Sequence, residues 1–140
     1  VETENDLLML MRAGKTGVLY ESRSRDGGLT WSEAEPTDIP DPGTKLTLLK
    51  QDNRILFLHN PTDCTIGRKR IELWVSEDEG KTWPIQRRLV ELEKDDKGEY
   101  SKGMICYPHA FLADNEKLLY VAVDTWDSHY LIKVPYADFS

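Results

Sequence analysis

The chain has 140 residues, about the size of one domain, with 39% hydrophobic residues, 31% charged residues and a formal net charge of −7. The longest apolar run, from Leu7 to Met11, stops at Arg12 and is far shorter than the roughly 20 residues that a membrane-spanning helix needs. The negative charge disfavours contact with nucleic acid phosphates or anionic lipid, so we expect neither nucleic acid nor a membrane as a partner.

Nine short segments rich in leucine, valine, isoleucine and tyrosine are predicted as β-strands, separated by turn residues. In chain order they cover residues 7–12, 17–22, 46–50, 54–59, 71–76, 87–92, 107–113, 117–124 and 130–135. No window of a dozen residues has a helical stripe that is free of proline and glycine. The pattern therefore predicts an all-β fold, either a sandwich or a propeller.

One octet occurs twice, each time in a turn between two predicted strands. Residues 24–31 and 76–83 both read Ser-x-Asp-x-Gly-x-Thr-Trp, and the copies are 52 residues apart. The shared positions are Ser24, Asp26, Gly28, Thr30, Trp31, Ser76, Asp78, Gly80, Thr82 and Trp83. The aspartates can accept hydrogen bonds from their own loop amides, the glycines can take positive φ, and the tryptophans can fill gaps between neighbouring sheets. We therefore assign the octets a structural role and no chemistry.

The doubled octet resembles the Asp-box, the bacterial neuraminidase (BNR) repeat of sialidases and their relatives. Residues 7–12, 39–42, 59–61 and 107–108 also resemble this family, so the likeness extends over nearly the whole chain. It implies a six-bladed β-propeller with four-stranded antiparallel blades, of which this chain supplies about three at roughly 45–50 residues each. An open half-ring exposes strand edges, so we expect a C-terminal half fragment that pairs with the remaining blades of the same protein. The expected blades cover residues 1–36, 37–93 and 94–140.

The resemblance also implies which residues hold a substrate carboxylate. Arg12 closes an apolar strand, where sialidases have an arginine that binds this group; an exposed strand-terminal arginine is the alternative. Arg68, eight residues before Ser76, matches the second carboxylate-binding arginine, and Arg70 is its rival. A planar guanidinium suits this role because it binds a carboxylate through two parallel hydrogen bonds.

Tyr107, at the head of a predicted strand, matches the tyrosine nucleophile of sialidases. A neutral phenol activated by a glutamate can approach an anomeric centre that bears a carboxylate, whereas a second carboxylate would be repelled. A buried core tyrosine is the alternative, and Tyr100 competes for the alignment because residues 102–106 intervene. His109 lies two positions after Tyr107, on the same predicted strand face. Sialidases lack a histidine there, so His109 indicates either a different sugar or a structural role.

Two more side chains are candidates for a sugar pocket: His59, at a strand end, and Trp126, in the loop at residues 124–129, where it can stack on a pyranose. We expect no metal or other cofactor, because the three histidines are scattered and no Cys/His pair has ligand spacing. Cys64 and Cys106 lie 42 positions apart, which favours two buried free thiols over a disulfide.

The resemblance implies an exo-α-sialidase type of glycoside hydrolase, secreted or periplasmic, that cleaves a terminal anionic sugar with retention of configuration. Its partner is then a carbohydrate substrate, and the acid/base aspartate, the first arginine and the glutamate beside the tyrosine belong to earlier blades. Two alternatives stay open. One is a related glycosidase or uronate lyase of different sugar specificity, suggested by His109 and residues 124–129. The other is a non-catalytic carbohydrate-binding propeller, because Asp-boxes also occur in propellers without enzymatic activity.

Overall fold

A computed structural model describes residues 1–139, which form ten β-strands and one short 3-10 helix. The strands are β1 (Leu7–Arg12), β2 (Val18–Ser24), β3 (Glu35–Pro40), β4 (Thr47–Gln51), β5 (Arg54–His59), β6 (Arg70–Ser76), β7 (Ile85–Glu91), β8 (Ile105–Ala113), β9 (Leu118–Thr125) and β10 (His129–Pro135), and the 3-10 helix is Tyr136–Phe139. Three antiparallel sheets result, in the orders β1-β2-β3, β4-β5-β6-β7 and β10-β9-β8. The predicted all-β architecture of successive propeller-type sheets is confirmed, with three, four and three strands.

The first sheet contains a strand that the sequence analysis missed. β3 pairs with β2 alone and forms the edge of its sheet. It contains Pro36 and Pro40, which lack an amide hydrogen and therefore fit only where a ladder bond is not required. The sequence analysis missed β3 because its two prolines and two acidic residues hide the strand pattern. The three sheets span residues 7–40, 47–91 and 105–135, and the division into blades near residues 36 and 93 stays a prediction.

The middle sheet is covered on both faces, which explains its nearly continuous apolar strands. Along β5, Ile55 and Phe57 pack with the first sheet, while Leu56 and Leu58 face the third. The side chains of β6 alternate in the same way: Trp74 packs with the first sheet, and the neighbouring aliphatic residues face the third. Alternating side chains of one strand thus build two separate cores, and these cores hold three sheets in fixed positions.

Each Asp-box forms a closed network of hydrogen bonds within its own loop. In the second box, Ser76 Oγ donates to Asp78 Oδ1 at 2.8 Å and accepts from the Gly80 amide at 2.8 Å. The Thr82 amide and hydroxyl donate to the two oxygens of Asp78, at 2.8 and 2.6 Å. The first box repeats this arrangement with Ser24, Asp26, Gly28 and Thr30. Each of these bonds spans four residues or fewer, so the octet supplies the partners of its own turn. Glu79 of the second box also makes distant bonds, from Arg23 Nη2 to its carbonyl at 3.1 Å and from the Glu4 amide to its carboxylate at 3.0 Å.

The two tryptophans of the boxes have different surroundings. Trp83 packs at the edge of the core between the first and middle sheets, with its ring centre 5.0 Å from that of Phe57. Trp31 is 38% exposed, and its indole nitrogen donates to the Gly28 carbonyl at 3.0 Å. One Asp-box tryptophan therefore fills the gap between two sheets of this chain, and the other closes its own loop.

The strand connections are divided between two ends of the sheets. Both Asp-boxes connect the last two strands of their sheet, β2 to β3 and β6 to β7, and this is the Asp-box end. The opposite end, here called the arginine end, contains the connections at residues 13–17, 41–46, 60–69 and 92–104 and the β9–β10 turn. Among residues 1–139, there is no helix with the length and apolar character that a bilayer crossing requires.

Candidate functional site

An arginine and a tyrosine from two different sheets meet at the arginine end. Arg68, in the connection before β6, donates from Nη1 to the Tyr107 hydroxyl at 3.0 Å. Its guanidinium carbon also lies 5.0 Å from the centre of the Tyr107 ring. Tyr107 is 39% exposed as a residue, so the side chain that Arg68 holds in place is still partly open to solvent.

A second arginine reaches the same place through a shared acceptor. Arg12, at the end of β1, donates from Nη1 to the Gly43 carbonyl oxygen at 3.4 Å, and Arg68 Nη2 donates to that same oxygen at 3.2 Å. The two guanidinium groups therefore converge on one atom. They come from separate sheets, and Gly43 lies in the connection between those sheets.

The Gly43 carbonyl is aimed by a buried carboxylate. Asp41 is only 1% exposed and accepts hydrogen bonds from the amides of Gly43, at 2.8 Å, and Thr44, at 3.3 Å. Burial raises the pKa of Asp41, while the two amides and the positive charges of Arg12 and Arg68 act in the opposite direction. The carboxylate thus shapes a tight turn whose carbonyl points at the arginines.

A cavity of about 510 Å³ opens beside these groups, a size that suits a small ligand. Its lining residues are Leu10, Arg12, Thr44, Lys45, Leu46 and Tyr107. A larger cavity of about 750 Å³ lies along β2 and β3 and includes three residues of the first Asp-box, Arg25, Thr30 and Trp31. We place the functional site at the smaller cavity because Arg12 and Tyr107 line it, and Arg68 bonds both Tyr107 and the Gly43 carbonyl that Arg12 contacts.

A buried amide joins the segments that present the arginine and the tyrosine. Asn60 is fully buried, and its side-chain nitrogen donates to the carbonyls of Arg70, at 2.6 Å, and Ile105, at 2.9 Å. The Ile105 amide in turn donates to the Arg68 carbonyl at 2.8 Å. The start of β8 is therefore tied to the connection that contains Arg68, which fixes Tyr107 relative to that arginine.

His109 shares the exposed side of β8 with Tyr107, while Pro108 and Ala110 are buried. His109 Nδ1 lies 3.5 Å from the ammonium of Lys45, which also lines the cavity. Beside the arginines and the phenol, the site therefore holds a histidine and a lysine from neighbouring sheets.

The two rival candidates lie elsewhere. The Arg70 guanidinium pairs with Glu72 at 3.0 Å, and that glutamate also accepts a bond from the Trp74 indole at 2.8 Å. The Tyr100 hydroxyl donates to Glu91, at the end of the outer strand β7. Arg68, by contrast, donates to Tyr107, which lines the cavity. The geometry therefore favours Arg68 over Arg70 and Tyr107 over Tyr100 as the members of one site, and their roles in chemistry stay predictions.

His59 does not line this cavity. It is fully buried, stacked on Phe57 with ring centres 3.9 Å apart and in edge contact with Trp74 at 4.4 Å. Neither of its ring nitrogens has a hydrogen-bond partner. Burial, assisted by the nearby charge of Arg70, lowers the pKa of His59 to about 3, so the ring is neutral at physiological pH. Its position in the core leaves no access for a sugar.

Trp126 is 75% exposed in the β9–β10 turn and lines a separate cavity of about 550 Å³, together with Leu92 and Met104. This cavity also opens at the arginine end but shares no lining residue with the one beside Tyr107.

Both cysteines are free, Cys64 exposed and Cys106 buried. Within residues 1–139, no group of three or more histidine, cysteine, aspartate or glutamate side chains is placed to hold a metal ion.

Sequence reasoning missed the groups that connect the site. Gly43 and Lys45 both precede the predicted strand at residues 46–50 and were not candidates. In the structure the Gly43 carbonyl accepts from both arginines, and Lys45 lines the same cavity as Tyr107. Asn60 was noted as part of an Asn-Pro pair without a role. A carbonyl acceptor leaves no mark in the sequence, because every residue has one. Only the Asp-Pro-Gly turn at residues 41–43 offered a usable signal.

Three antiparallel sheets with two Asp-box loops at one end define a propeller of the BNR-repeat type. The family model of the BNR repeat-like domain matches residues 1–119. Sialidases of two Vibrio cholerae serotype O1 strains, a classical Ogawa and an El Tor Inaba strain, are each 32% identical over 155 aligned positions that cover 94% of this chain. The chain spans 18% of the length of these relatives. The chain belongs to the BNR-repeat family of the sialidase superfamily.

Proposed function

We propose that this chain forms part of a sialidase-like glycoside hydrolase that removes a terminal anionic sugar, with sialic acid as the first candidate. The observation that carries the proposal is the meeting of Arg12, Arg68 and Tyr107 beside one cavity. Two guanidiniums that share a single neutral acceptor offer a strong binding place for a carboxylate, which can replace that carbonyl with charged, bidentate bonds.

In the proposed reaction, the two arginines hold the sugar carboxylate and Tyr107 attacks the anomeric carbon. A bond forms from the phenol oxygen to that carbon as the bond to the leaving oxygen breaks. The phenol proton passes to a base, and an acid protonates the leaving oxygen. Water then displaces the tyrosine by the reverse steps, so the configuration is retained. We assign the acid and the base to other blades of the full-length protein, which reaches its substrate outside the cytoplasm.

The bond from Arg68 also suits Tyr107 to this role, since Arg68 Nη1 donates to the phenol oxygen at 3.0 Å. The same contact orients the ring, so the attacking atom is held in one position before substrate arrives.

The test uses the full-length protein and a fluorogenic sialoside. We expect Tyr107→Phe, Arg12→Ala and Arg68→Ala each to lower kcat/KM by roughly 10²–10³-fold, as loss of an electrostatic or nucleophilic group at a reacting centre does. The control is Arg88→Ala, which removes an exposed arginine of the outer strand β7 and should leave kcat/KM unchanged. Normal turnover by Arg12→Ala on every substrate that the parent cleaves would contradict the assignment.

A second candidate is a related glycosidase that acts on a different sugar, and the placement of His109 favours it. An exposed imidazole and the Lys45 ammonium lie beside the same cavity, where they can bind sugar hydroxyls or a differently placed carboxylate. A panel of sialosides, rhamnosides and uronides separates the two. Cleavage of a rhamnoside or uronide, with no cleavage of any sialoside, would select this second function.

A further inference from the structure

The backbone at Tyr107 has an unfavourable conformation. Its φ is +54°, in the left-handed region that residues other than glycine adopt uncommonly. The next residue is Pro108, and a residue before proline prefers an extended conformation. Two local preferences of the sequence therefore oppose the observed geometry, and contacts from elsewhere in the molecule must stabilise it.

A β-bulge accompanies this conformation. Cys106 pairs with Asp124 and His109 with Ala122, so Tyr107 and Pro108 together lie opposite the single residue Val123. A bulge turns a side chain away from the regular alternation of its strand and leaves backbone groups outside the ladder. Here it places the Tyr107 ring toward Arg68 and frees the Pro108 carbonyl from pairing with β9.

The free carbonyl is bound by the neighbouring sheet. Thr47 Oγ1 donates to the Pro108 oxygen at 2.6 Å, and Lys45 Nζ donates to the same oxygen at 3.1 Å. Thr47 begins β4, the edge strand of the middle sheet, and β8 is the edge strand of the third sheet. Two side chains from one sheet thus hold one backbone atom of the next, directly after Tyr107.

We propose that Thr47 and Lys45 are positioning residues, which hold the bulge at Pro108 so that the Tyr107 hydroxyl stays at Arg68. The role in turnover rests on the proposed function. The threonine bond is the shorter, and its donor is a stiff β-branched side chain on a strand, so Thr47 fixes the geometry. Lys45 adds a charged bond to the Pro108 carbonyl, and its ammonium also lies 3.5 Å from His109 Nδ1. The positions of Tyr107 and His109 are therefore both coupled to Lys45.

The first test measures turnover of the full-length protein with Thr47→Val, which keeps the shape of the side chain and removes the donor, and Thr47→Ser, which keeps the donor. We expect Thr47→Val to lower kcat by about 10- to 100-fold with KM within about threefold, because misplacement of a reacting group acts on the chemical step. Thr47→Ser should restore kcat to within about threefold of the parent. Lys45→Met should show a smaller loss of kcat of the same kind.

A matched control is available in the first sheet. Thr37 donates from Oγ1 to the Leu19 carbonyl at 2.9 Å, a bond of the same type remote from Tyr107. Thr37→Val should therefore resemble Thr47→Val in thermal stability and leave kcat at the parent value. Equal losses of kcat in the two variants would show that a general loss of stability is responsible, and would overturn the proposal.

A double-mutant cycle separates positioning from the nucleophile assignment. In a Tyr107→Phe background, Thr47→Val should cause no further loss of residual activity, since its effect acts through Tyr107. If Tyr107→Phe keeps full turnover, the proposed function is wrong. If Tyr107→Phe is inactive while Thr47→Val keeps the parent kcat, the proposed function stands and the positioning role is wrong.

A second measurement does not depend on any substrate. In protein labelled with 3-fluorotyrosine, the ¹⁹F resonance of Tyr107 is assigned by its absence in Tyr107→Phe. Thr47→Val should shift or broaden this resonance, whereas Thr47→Ser and Thr37→Val should leave it in place. An unchanged Tyr107 resonance in both Thr47→Val and Lys45→Met would overturn the proposal.

Discussion

The two ends of the sheets are built from contacts of different range. At the Asp-box end, the bonds of Ser76 and Asp78 reach no farther than four residues along the chain. At the arginine end, the bonds of Arg12, Arg68 and Thr47 span 25 to 61 residues. Local bonds therefore set the Asp-box turn itself, although Glu79 of the second box also bonds Glu4 and Arg23. The arginine end exists only when three sheets have come together.

Two glycines, one at each end, test this comparison with the largest expected effect. A Cβ at Gly43 would meet the Gly14 carbonyl oxygen at 2.7 Å, and one at Gly80 would meet the Leu8 methyl carbon at 2.6 Å; both glycines have positive φ. Backbone cannot move aside as a leucine side chain can. Gly43→Ala should therefore lower the free energy of unfolding by roughly 2–4 kcal/mol and Gly80→Ala by about 1–2 kcal/mol, as urea unfolding of the full-length protein would measure.

Activity distinguishes the same two variants more sharply. Gly43→Ala displaces the acceptor shared by Arg12 and Arg68, so kcat/KM should fall about tenfold or more in the folded protein. Gly80→Ala should leave kcat/KM at the parent value. The control is Gly98→Ala. Its φ is also positive, but an added Cβ would meet no neighbouring atom within 4 Å, so this variant isolates backbone strain. The comparison breaks if Gly80→Ala impairs catalysis as strongly as Gly43→Ala.

The buried His59 makes the stability of the middle sheet depend on pH. Its pKa of about 3 in the folded protein lies below the value of about 6.5 in the unfolded chain, so the unfolded state binds the extra proton. Stability is therefore lost as pH falls from about 6.5 toward 3, by about 2 kcal/mol at pH 5.

His59→Phe should remove this dependence, because phenylalanine keeps the stacking on Phe57 and cannot titrate. Urea unfolding of the full-length variant at pH 7.5 and pH 5 measures it against the parent. Substitution of the exposed His129 by glutamine should leave the parent dependence in place. Equal losses of stability for His59→Phe and the parent between these pH values would contradict the interpretation.

The smallest effect is expected at the Asp-boxes in acid. Hydrogen bonds from the hydroxyl and amide of Thr30 lower the pKa of Asp26 to about 2. Burial opposes ionisation of Asp78, but the bonds from Thr82 and Ser76 outweigh it, and its pKa is also about 2. These values lie below the unfolded value of about 3.9, so the stabilisation is present above pH 4 and is lost as pH falls toward 2.

Asp78→Asn should lower the thermal midpoint at pH 5 and then lose less than the parent between pH 5 and pH 2.5. Asp96→Asn, in an exposed loop, provides the control for a simple loss of charge. If Asp78→Asn and the parent lose the same stability over this range, the hydrogen bonds of the box do not stabilise the ionised carboxylate.

The range of the contacts also explains what could be predicted from the sequence. The Asp-boxes were predictable because the serine, aspartate, glycine and threonine that bond one another all lie within one octet. Arg12, Arg68 and Tyr107 could be proposed only through the family resemblance, since nothing near them in the sequence indicates that they meet. The contacts of Gly43 and Thr47 involve backbone carbonyls, which every residue has. Their roles could therefore be identified only from the three-dimensional structure.

His59 shows the opposite difficulty. A histidine at a strand end is typical of an exposed pocket, yet the core formed with Phe57 and Trp74 covers it completely. The face of the middle sheet that packs on the first sheet covers His59. The sequence of β5 does not reveal that both of its faces pack against neighbouring sheets.

The single carbonyl oxygen between Arg12 and Arg68 has a consequence for how the protein behaves before any ligand arrives. Two like charges are held near each other, and both the neutral carbonyl and the nearby Asp41 carboxylate offset their mutual repulsion. An entering anion adds to that offset. Sulfate or phosphate in a buffer should therefore compete with the proposed sugar carboxylate, so binding constants measured at this site should depend on the salt.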